Sequence, residues 1–446
     1  MRAVLAIRDY RLLLAAGFVS LTGDWILATG LAYQVYVLTG STLASAGMVL
    51  AALLPKVLVG SLAGVYVDRW DRRRTMIVCN LLLAAGLLPL FAVQHAGQAA
   101  VVYAVLAVQN AIAAFFVSAE AALVPALVPE SLLVTANGLN GQIRDVARLA
   151  GAAIGGVLAA WGGITLLAAV DILTFALAAA LLLAIRHRTG RPAPAGAARP
   201  PHLLHEWTEG LRLIVGHRLL RTLLVFVAIT GVGEALMATL MAPFVHDVLH
   251  GGAQGYGAIL AVQAIGGLAG GLVVTLVGHR FAPSALLGWG AIAFGVLDLA
   301  LFLYPLVSTA LWPALVIMIL VGLPGAVTVA GLMTLFQSGA GEAHRGRIFG
   351  AGTAVQSATM LAGTLAAGAL AERAGIIPVI AWQGVGYCLA GLLFLIMLRP
   401  SSAGPSSARP GSAGPSSARP SSAGPSSARP DSARPSSAGP SSARPS

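Results

Sequence analysis

Charge is scarce in this 446-residue sequence: only 10% of its residues are Asp, Glu, Lys or Arg. Water-soluble domains carry about 25%, so a soluble globule is excluded. Cysteine is scarcer still. Cys79 and Cys388 both lie inside apolar runs, without a CxxC or Cys/His cluster. That excludes a disulfide framework and a zinc site, and leaves two small buried hydrophobes. No G-x-x-x-x-G-K-[ST] stretch occurs, so an ATP-driven pump would need a separate subunit. The sequence also lacks D-D-x-x-D and H-E-x-x-H, and its nine histidines lie mostly in loops. A polyprenyl transferase or intramembrane hydrolase therefore has no ligand set here, and the chain does not read as an enzyme. The arginines form no dense stripe interleaved with aromatics, which argues against nucleic acid as a partner.

What is abundant is apolar sequence: 57% of residues are hydrophobic and 53 are glycine. Runs of about 20 apolar residues recur, each enough to cross about 30 Å of hydrocarbon. The runs predict an all-α membrane protein of twelve transmembrane helices, near 12–38, 43–67, 74–94, 98–124, 138–161, 163–185, 219–245, 255–277, 284–304, 309–337, 347–371 and 376–398. The first run is too long for a cleaved leader and reads as a permanent span. With Met1 placed in the cytoplasm, the inside segments hold Arg2, Arg8 and Arg11, then Arg69 and Arg72 to Arg74, the 186–218 stretch, Arg280, and Arg345 with Arg347. Arg373 is the single basic residue of the outside loops. This positive-inside asymmetry predicts a multi-pass protein of the bacterial cytoplasmic (inner) membrane with both termini in the cytoplasm.

The domain reading is an N-terminal six-helix bundle over 1–185, a cytoplasmic linker over 186–218, a C-terminal six-helix bundle over 219–398 and a tail over 399–446. The linker is rich in Arg, Pro and Ala, with an amphipathic segment. From Ser401 the chain repeats SSAGPSSARP with small variations. Such a tract buries too little apolar surface to offset its ordering entropy and is expected to be disordered.

The two bundles can be laid on each other. At an offset of 210, Arg8, Arg11, Leu13 and Leu14 fall on Arg218, Arg221, Leu223 and Leu224. Gly23-Asp24 falls on Gly233-Glu234 and Ala28-Thr29 on Ala238-Thr239. At 212, Gly151, Gly156 and Leu158 fall on Gly363, Gly368 and Leu370. Six spans per repeat and a cytoplasmic linker give both repeats one orientation, the parallel arrangement of major-facilitator transporters.

Motifs carry that resemblance further. Gly64-Val65-Tyr66-Val67-Asp68-Arg69-Trp70-Asp71-Arg72-Arg73-Arg74 resembles the major facilitator superfamily signature G-x-x-x-D-R-x-G-R-R, with Asp71 in place of the usual Gly. The resemblance implies a conformational gate made of Gly64, Asp68, Arg69, Arg72 and Arg73, tying helix two to the start of helix eleven. Gly151-Ala152-Ala153-Ile154-Gly155-Gly156 is similar to the antiporter motif G-P-x-x-G-G, with Ala152 for Pro. Sealing of the cavity and plain glycine packing both fit Gly151, Gly155 and Gly156. Gly23-Asp24-Trp25, Asn137 to Asn140, Val170 to Phe175 and Arg345 to Gly350 resemble the enterobactin-exporter and macrolide-efflux branch. The resemblance covers about residues 5–398.

An ionisable group at the bilayer centre costs about 2.5–3.5 kcal/mol on insertion scales and marks a functional site. Asp24 lies about 18 Å along helix one, and Glu234 is its repeat equivalent; in this superfamily both helices line the cavity. These carboxylates are the proton-coupling candidates. On helix five, Asp145 can reach Arg148 at i,i+3, which leaves Arg144 for substrate or a helix-one carboxylate. Alternatively, both arginines snorkel to water. Gln34, Gln109, Asn110, Met237, Met241 and Gln337 are the cavity candidates, on faces that also suit helix packing. The reading is secondary active, proton-coupled export of amphipathic small molecules (drug, macrolide or siderophore) by alternating access. It needs no cofactor and no metal; the proton gradient is the energy source. Its partners are membrane lipids and the small-molecule substrate, and the chain works as a monomer. Lipid or lysolipid flipping and nutrient import on the same fold remain open, with a non-transporting receptor further off.

Overall fold

A computed structural model describes residues 2–67, 69–186, 212, 214–339 and 345–397, and among these there is no β-strand. The spanning helices are α1 (Arg8–Thr39), α2 (Thr42–Val67), α3 (Arg72–Gly86) and α4 (Ala99–Leu127). A continuous element, Leu133–Leu183, follows. Next come α7 (Arg218–Pro243), α8 (Ala253–Val277), α9 (Pro283–Leu303), α10 (Leu311–Gly339), α11 (Arg345–Ala374) and α12 (Ile376–Met397). Eleven segments among the described residues are long and apolar enough to cross a membrane. One of them, Thr135–Leu183, would extend about 73 Å as a straight helix at about 1.5 Å per residue, far beyond one bilayer crossing. It is broken at Gly163, whose φ of 57° and ψ of −151° lie where a Cβ is not tolerated. The break separates α5 (133–162) from α6 (164–183). Gly40 performs the same service at φ 63°, ending α1 and turning the chain into α2.

Several boundaries differ from the sequence expectation. The α3 helix starts at Arg72, two residues early, because the Asp71 carboxylate accepts a 2.7 Å hydrogen bond from the Arg74 backbone and caps the helix. It ends at Gly86 and tightens into a 3-10 turn over Leu88–Ala92 at Pro89, which has no N–H to give. The α5 helix starts at Leu133 rather than 138, so Asn137 and Gly138 lie within its first turns. Asp68 and the side chains of Arg345 and Arg347 lie outside the described residues, as do most of the 186–218 linker and all of the 399–446 tail.

Close approaches at glycine set the helix packing. A Cβ on Gly23 of α1 would overlap Asp171 and Thr174 of α6, while Gly233 of α7 faces Gln383 and Tyr387 of α12. Gly151 and Gly155 lay α5 against Thr22, Trp25 and Ile26 of α1; Gly363 lays α11 against Val232 and Ala235 of α7. Two contacts join the first six helices to the last six. A Cβ on Gly156 would stand 2.6 Å from the Ala253 carbonyl of α8, and one on Gly368 of α11 would stand 2.8 Å from Ala46 and 3.1 Å from Leu43 of α2. The glycines repeat at 212, and the partners Thr22/Val232, Trp25/Ala235 and Leu43/Ala253 repeat at 210.

The buried side chains form three clusters. Tyr10, Met76, Phe116, Leu123 and Leu182 belong to one, drawn entirely from the first six helices at the end bearing Arg69–Arg74. Leu220, Phe226, Leu287, Phe336 and Phe394 form its counterpart in the last six. The third, at the end bearing the α1–α2 turn, mixes Leu31 and Leu90 with Leu240, Phe244 and Phe302. The two sets of helices thus share a core at one end only. Replacing the α3 cap, Asp71→Ala, is expected to lower stability by about 1 kcal/mol. A thermal or SDS unfolding midpoint in detergent measures it, and an unchanged midpoint contradicts the capping role.

Candidate functional site

Between the two sets of helices lies a cavity of about 800 Å³. Trp25 and Thr29 of α1 with Asp145 and Arg148 of α5 line it from one side. From the other come Glu234, Met237 and Met241 of α7, Tyr256 of α8, Phe294 of α9, Met333 of α10, Met360 of α11 and Tyr387 of α12. Room comes from glycine on the far wall: Gly266 and Gly322 bring α8 and α10 into backbone contact, and Gly267, Gly271 and Gly325 face the space.

Glu234 is the acid of this wall. It is half-buried and accepts a hydrogen bond from the Tyr387 hydroxyl. Across the cavity, the Arg148 guanidinium stands within electrostatic range of it. The Nε of Arg148 is buried without a hydrogen-bond partner. No ion pair joins Asp145 to Arg148 among the described residues; Asp145 faces the cavity instead. Arg144 is not held for cargo or for helix one. It forms a 3.0 Å ion pair with Glu120 of α4, pinning α5 to its neighbour.

Asp24 parts company with its repeat equivalent. It is exposed, is not among the residues lining this cavity, and lies in electrostatic range of Lys56 of α2 and Asp171 of α6. Lys56 is the chain's single lysine. It sits beside Pro55 in an apolar run, and the sequence reading passed over it although its charge at membrane depth was the signal that could have found it.

Of the expected polar lining, only Met237 and Met241 border the cavity. Gln34 donates to the Ala159 carbonyl at 2.7 Å and ties α1 to α5. Gln109, 7% exposed, donates to Leu83 at 2.8 Å and ties α4 to α3. Asn110 returns its amide to Leu106 on its own helix, and Gln337 is exposed near the end of α10. A polar side chain buried in lipid takes the nearest carbonyl, whichever helix supplies it.

Two arginines of the motif are tied to neighbouring helix ends, while Asp68 and the side chains at the start of α11 lie outside the described residues. Arg72 donates to the Ala122 carbonyl at 3.0 Å, and Arg73 donates to Leu182 at 2.9 Å and Leu183 at 2.6 Å. These arginines satisfy carbonyls near the C-terminal ends of α4 and α6, where a cation is favoured. They brace the first six helices against one another. Gly64 lies within α2, and Arg69 is exposed in the turn that follows it.

At the opposite end a polar latch joins the two sets. Tyr36 of α1 donates to Asp247, and Tyr33 donates to the Gly251 carbonyl at 3.1 Å. His246 lies against both tyrosine rings, with centroids 5.8 and 5.7 Å away, and its Nδ1 is 2.6 Å from Asp247. On the other side of the seam, Ser41 donates to Glu372 at 2.7 Å and Thr42 to the Gly368 carbonyl at 2.9 Å. The sequence reading missed the latch; its partners across the seam are 210 positions or more apart and share no spacing motif.

Comparison with known proteins points one way. The profile of the Major Facilitator Superfamily matches residues 13–364. The multidrug efflux pump Tap of Mycobacterium tuberculosis is 28% identical over 379 residues, covering 82% of this chain and 87% of its own. Among solved structures, the nucleoside transporter NupG superposes with a TM-score of 0.70 at 15% identity, over 88% of this chain and 99% of that one. A bacterial homologue of the iron transporter ferroportin, 17% identical, covers 87% of this chain and 98% of its own at 0.68 in its inward-facing state. In its outward-facing state the score is 0.58.

The latch sets the first measurable expectation. A hydrogen bond to a charged group contributes about 1.5–3 kcal/mol, so Tyr36→Phe should shift the molecule toward opening at the α1–α2 end. In a protein lacking Cys79 and Cys388 and carrying Met237→Cys, labelling by an impermeant maleimide from that face should rise at least about fivefold. Unchanged labelling would show that the latch holds nothing closed.

Proposed function

The chain belongs to the Major Facilitator Superfamily and is a membrane transporter rather than an enzyme; from that premise we propose that it exports amphipathic small molecules in exchange for protons. The observation that carries the reading is Glu234, a carboxylate on a cavity wall with an arginine from the other set of helices facing it. Such a group has two competing partners. While Arg148 is near, the charged carboxylate is compensated. When rocking withdraws the guanidinium, a proton is the cheaper way to hold the group in low dielectric. Proton occupancy is then tied to which face is open, the requirement for exchange. Asp24 with Lys56 supplies a second titrating pair on the other side, outside the cavity.

The frame for this exchange is two parallel six-helix repeats, 1–185 and 219–398, crossing the bilayer twelve times. The break at Gly163 and the paired glycine contacts support that count and that symmetry. Both ends of the chain face the cytoplasm of a bacterial inner membrane, in line with the arginine distribution. On this orientation the latched end is outside and the cavity opens inward, and the better superposition on the inward-facing ferroportin homologue agrees. The cavity volume falls in the range of about 300–1,000 Å³ that drug-sized ligands occupy. Its four methionines and its aromatic rings adapt to varied apolar shapes, and export of drugs is what the name of the mycobacterial relative describes. The transporter works as a monomer among membrane lipids, with no bound cofactor.

The test uses the full chain in proteoliposomes with ethidium as probe. An imposed pH gradient should drive ethidium uphill through the wild type. Glu234→Gln should reduce that accumulation about tenfold or more and flatten its pH dependence, while ethidium counterflow, which needs no coupling, persists. Uphill transport by Glu234→Gln at the wild-type rate would remove Glu234 from the coupling step.

A further inference from the structure

The charged side chains on the cavity wall do not balance. Among the described residues that line the space, Asp145 and Glu234 are acids and Arg148 is the single cation. One guanidinium can answer one carboxylate, which leaves one over. Glu234 already has a donor, the Tyr387 hydroxyl. Asp145 has none. It is exposed to the cavity, and among the described residues it has no ion-pair or hydrogen-bond partner. Arg148 lies within i,i+3 reach on the same helix, yet the two do not pair. The neighbouring cation, Arg144, is turned away to Glu120 at 3.0 Å. The repeat supplies no counter-charge either. At an offset of 212, Asp145 and Arg148 fall on Ser357 and Met360 of α11, both uncharged.

An acid at membrane depth without a protein partner depends on water in the open cavity. Cargo that fills the cavity expels that water. A neutral or anionic cargo then strands the carboxylate, whereas a positive centre replaces the lost water with a charge pair. The unpaired acid therefore selects by rejecting the wrong charge as well as by attracting the right one. The wall beside it suits such a guest. Gly151, about 9 Å further along α5, packs against the Cβ of Trp25, so an indole stands on the same wall as the acid. A cation gains from an aromatic face, and the methionines fit the apolar body that carries it. We propose that Asp145 is the cargo-reading residue of this cavity and that the cargo is a lipophilic cation, one amine, quaternary or phosphonium centre on an apolar frame. Drugs and macrolides that carry such a centre meet the requirement, and anionic siderophores do not. On the orientation given above, Asp145 lies about 4.5 Å nearer the cytoplasmic mouth than Arg148, so an entering cation meets the acid first. The assignment rests on the export reading of the cavity and is independent of proton coupling at Glu234.

The test is equilibrium binding by the purified full chain in detergent. Tritiated tetraphenylphosphonium is the cationic probe and tritiated chloramphenicol, an uncharged drug, is the control. The wild type should bind the phosphonium at least about tenfold more tightly than chloramphenicol. Asp145→Asn should lose about tenfold or more in phosphonium affinity at an unchanged thermal unfolding midpoint, and Asp145→Glu should recover most of it. Should Asp145→Asn unfold early, Asp145→Ser, which installs the side chain of the repeat-equivalent position, is read in its place with the same expectation. Phosphonium binding at wild-type affinity without the carboxylate would overturn the proposal. So would a wild type that binds chloramphenicol as tightly as the cation. Neither measurement uses a proton gradient, so the two readings fail separately. A wild type that binds phosphonium through Asp145 yet ignores a pH gradient refutes coupling at Glu234 and supports Asp145. Uphill ethidium transport by Asp145→Asn at the wild-type rate refutes Asp145 and leaves Glu234 in place.

Discussion

The structure depends on backbone touching backbone. Lipid chains are as apolar as leucine, so helices in a membrane gain little by burying apolar surface against one another; they associate through close packing and shared polar contacts. Here the closest approaches are bought with glycine. Gly156 of α5 meets Ala253 and Gly257 of α8, and Gly368 of α11 meets the first turn of α2. These two seams hold the six-helix sets together at one end. Without them nothing would align Tyr33 and Tyr36 with Asp247 and Gly251, and the cavity between α1, α5, α7 and α8 would have no floor. The same constraint explains why small residues recur so often in the sequence: each marks a place where another helix must come near.

A second constraint sits on the first. No polar group inside the membrane can rely on water, so each takes a partner from the protein or stays as a functional liability. Most of the polar side chains here settle into structure. Gln34, Gln109, Arg72 and Arg73 each close a carbonyl, and Arg144 closes on Glu120. Buried atoms without a hydrogen-bond partner remain on Thr29, Ser45, Arg72, Asn80, Arg148, Asp171, Thr239, Asp298 and Gln383, and two of these residues, Arg148 and Asp298, are charged groups in electrostatic range of Glu234.

Much of this was readable from residue order. Runs of about 20 apolar residues fix helices regardless of tertiary context, and the offsets of 210 and 212 anticipated which glycines would do equivalent work. The Asp24/Glu234 correspondence was also visible, because a single acid in an apolar run has few meanings. Orientation around a helix was not. Gln109 and Met237 look alike from the sequence, each the soft or polar residue of an apolar stretch, yet one faces a sister helix and the other the cavity. In a membrane both faces of a helix are apolar, so the periodicity that tells inside from outside in a soluble protein is absent. Lys56 was missed because its neighbours are so apolar, and the latch because its partners come from loops and helix ends far apart in the chain. Asp71 taught a local lesson: where the signature has glycine, this chain has a helix cap.

The repeat is symmetric in its glycines and asymmetric in its charges, and that division has a physical reason. Packing residues must agree in both repeats, since each set of helices has to close on the other by the same geometry. Charges need not agree. Asp24 looks to a lysine in its own set of helices, whereas Glu234 looks across to an arginine from the other set. An ion pair within one rigid body is indifferent to rocking; one that spans two bodies changes with every cycle. Duplicating the spanning pair would place four charges in the cavity, each requiring compensation in both states, and would raise the barrier between them. On the proposed exchange, one spanning acid–base pair is the smallest charge set that can sense which end is open.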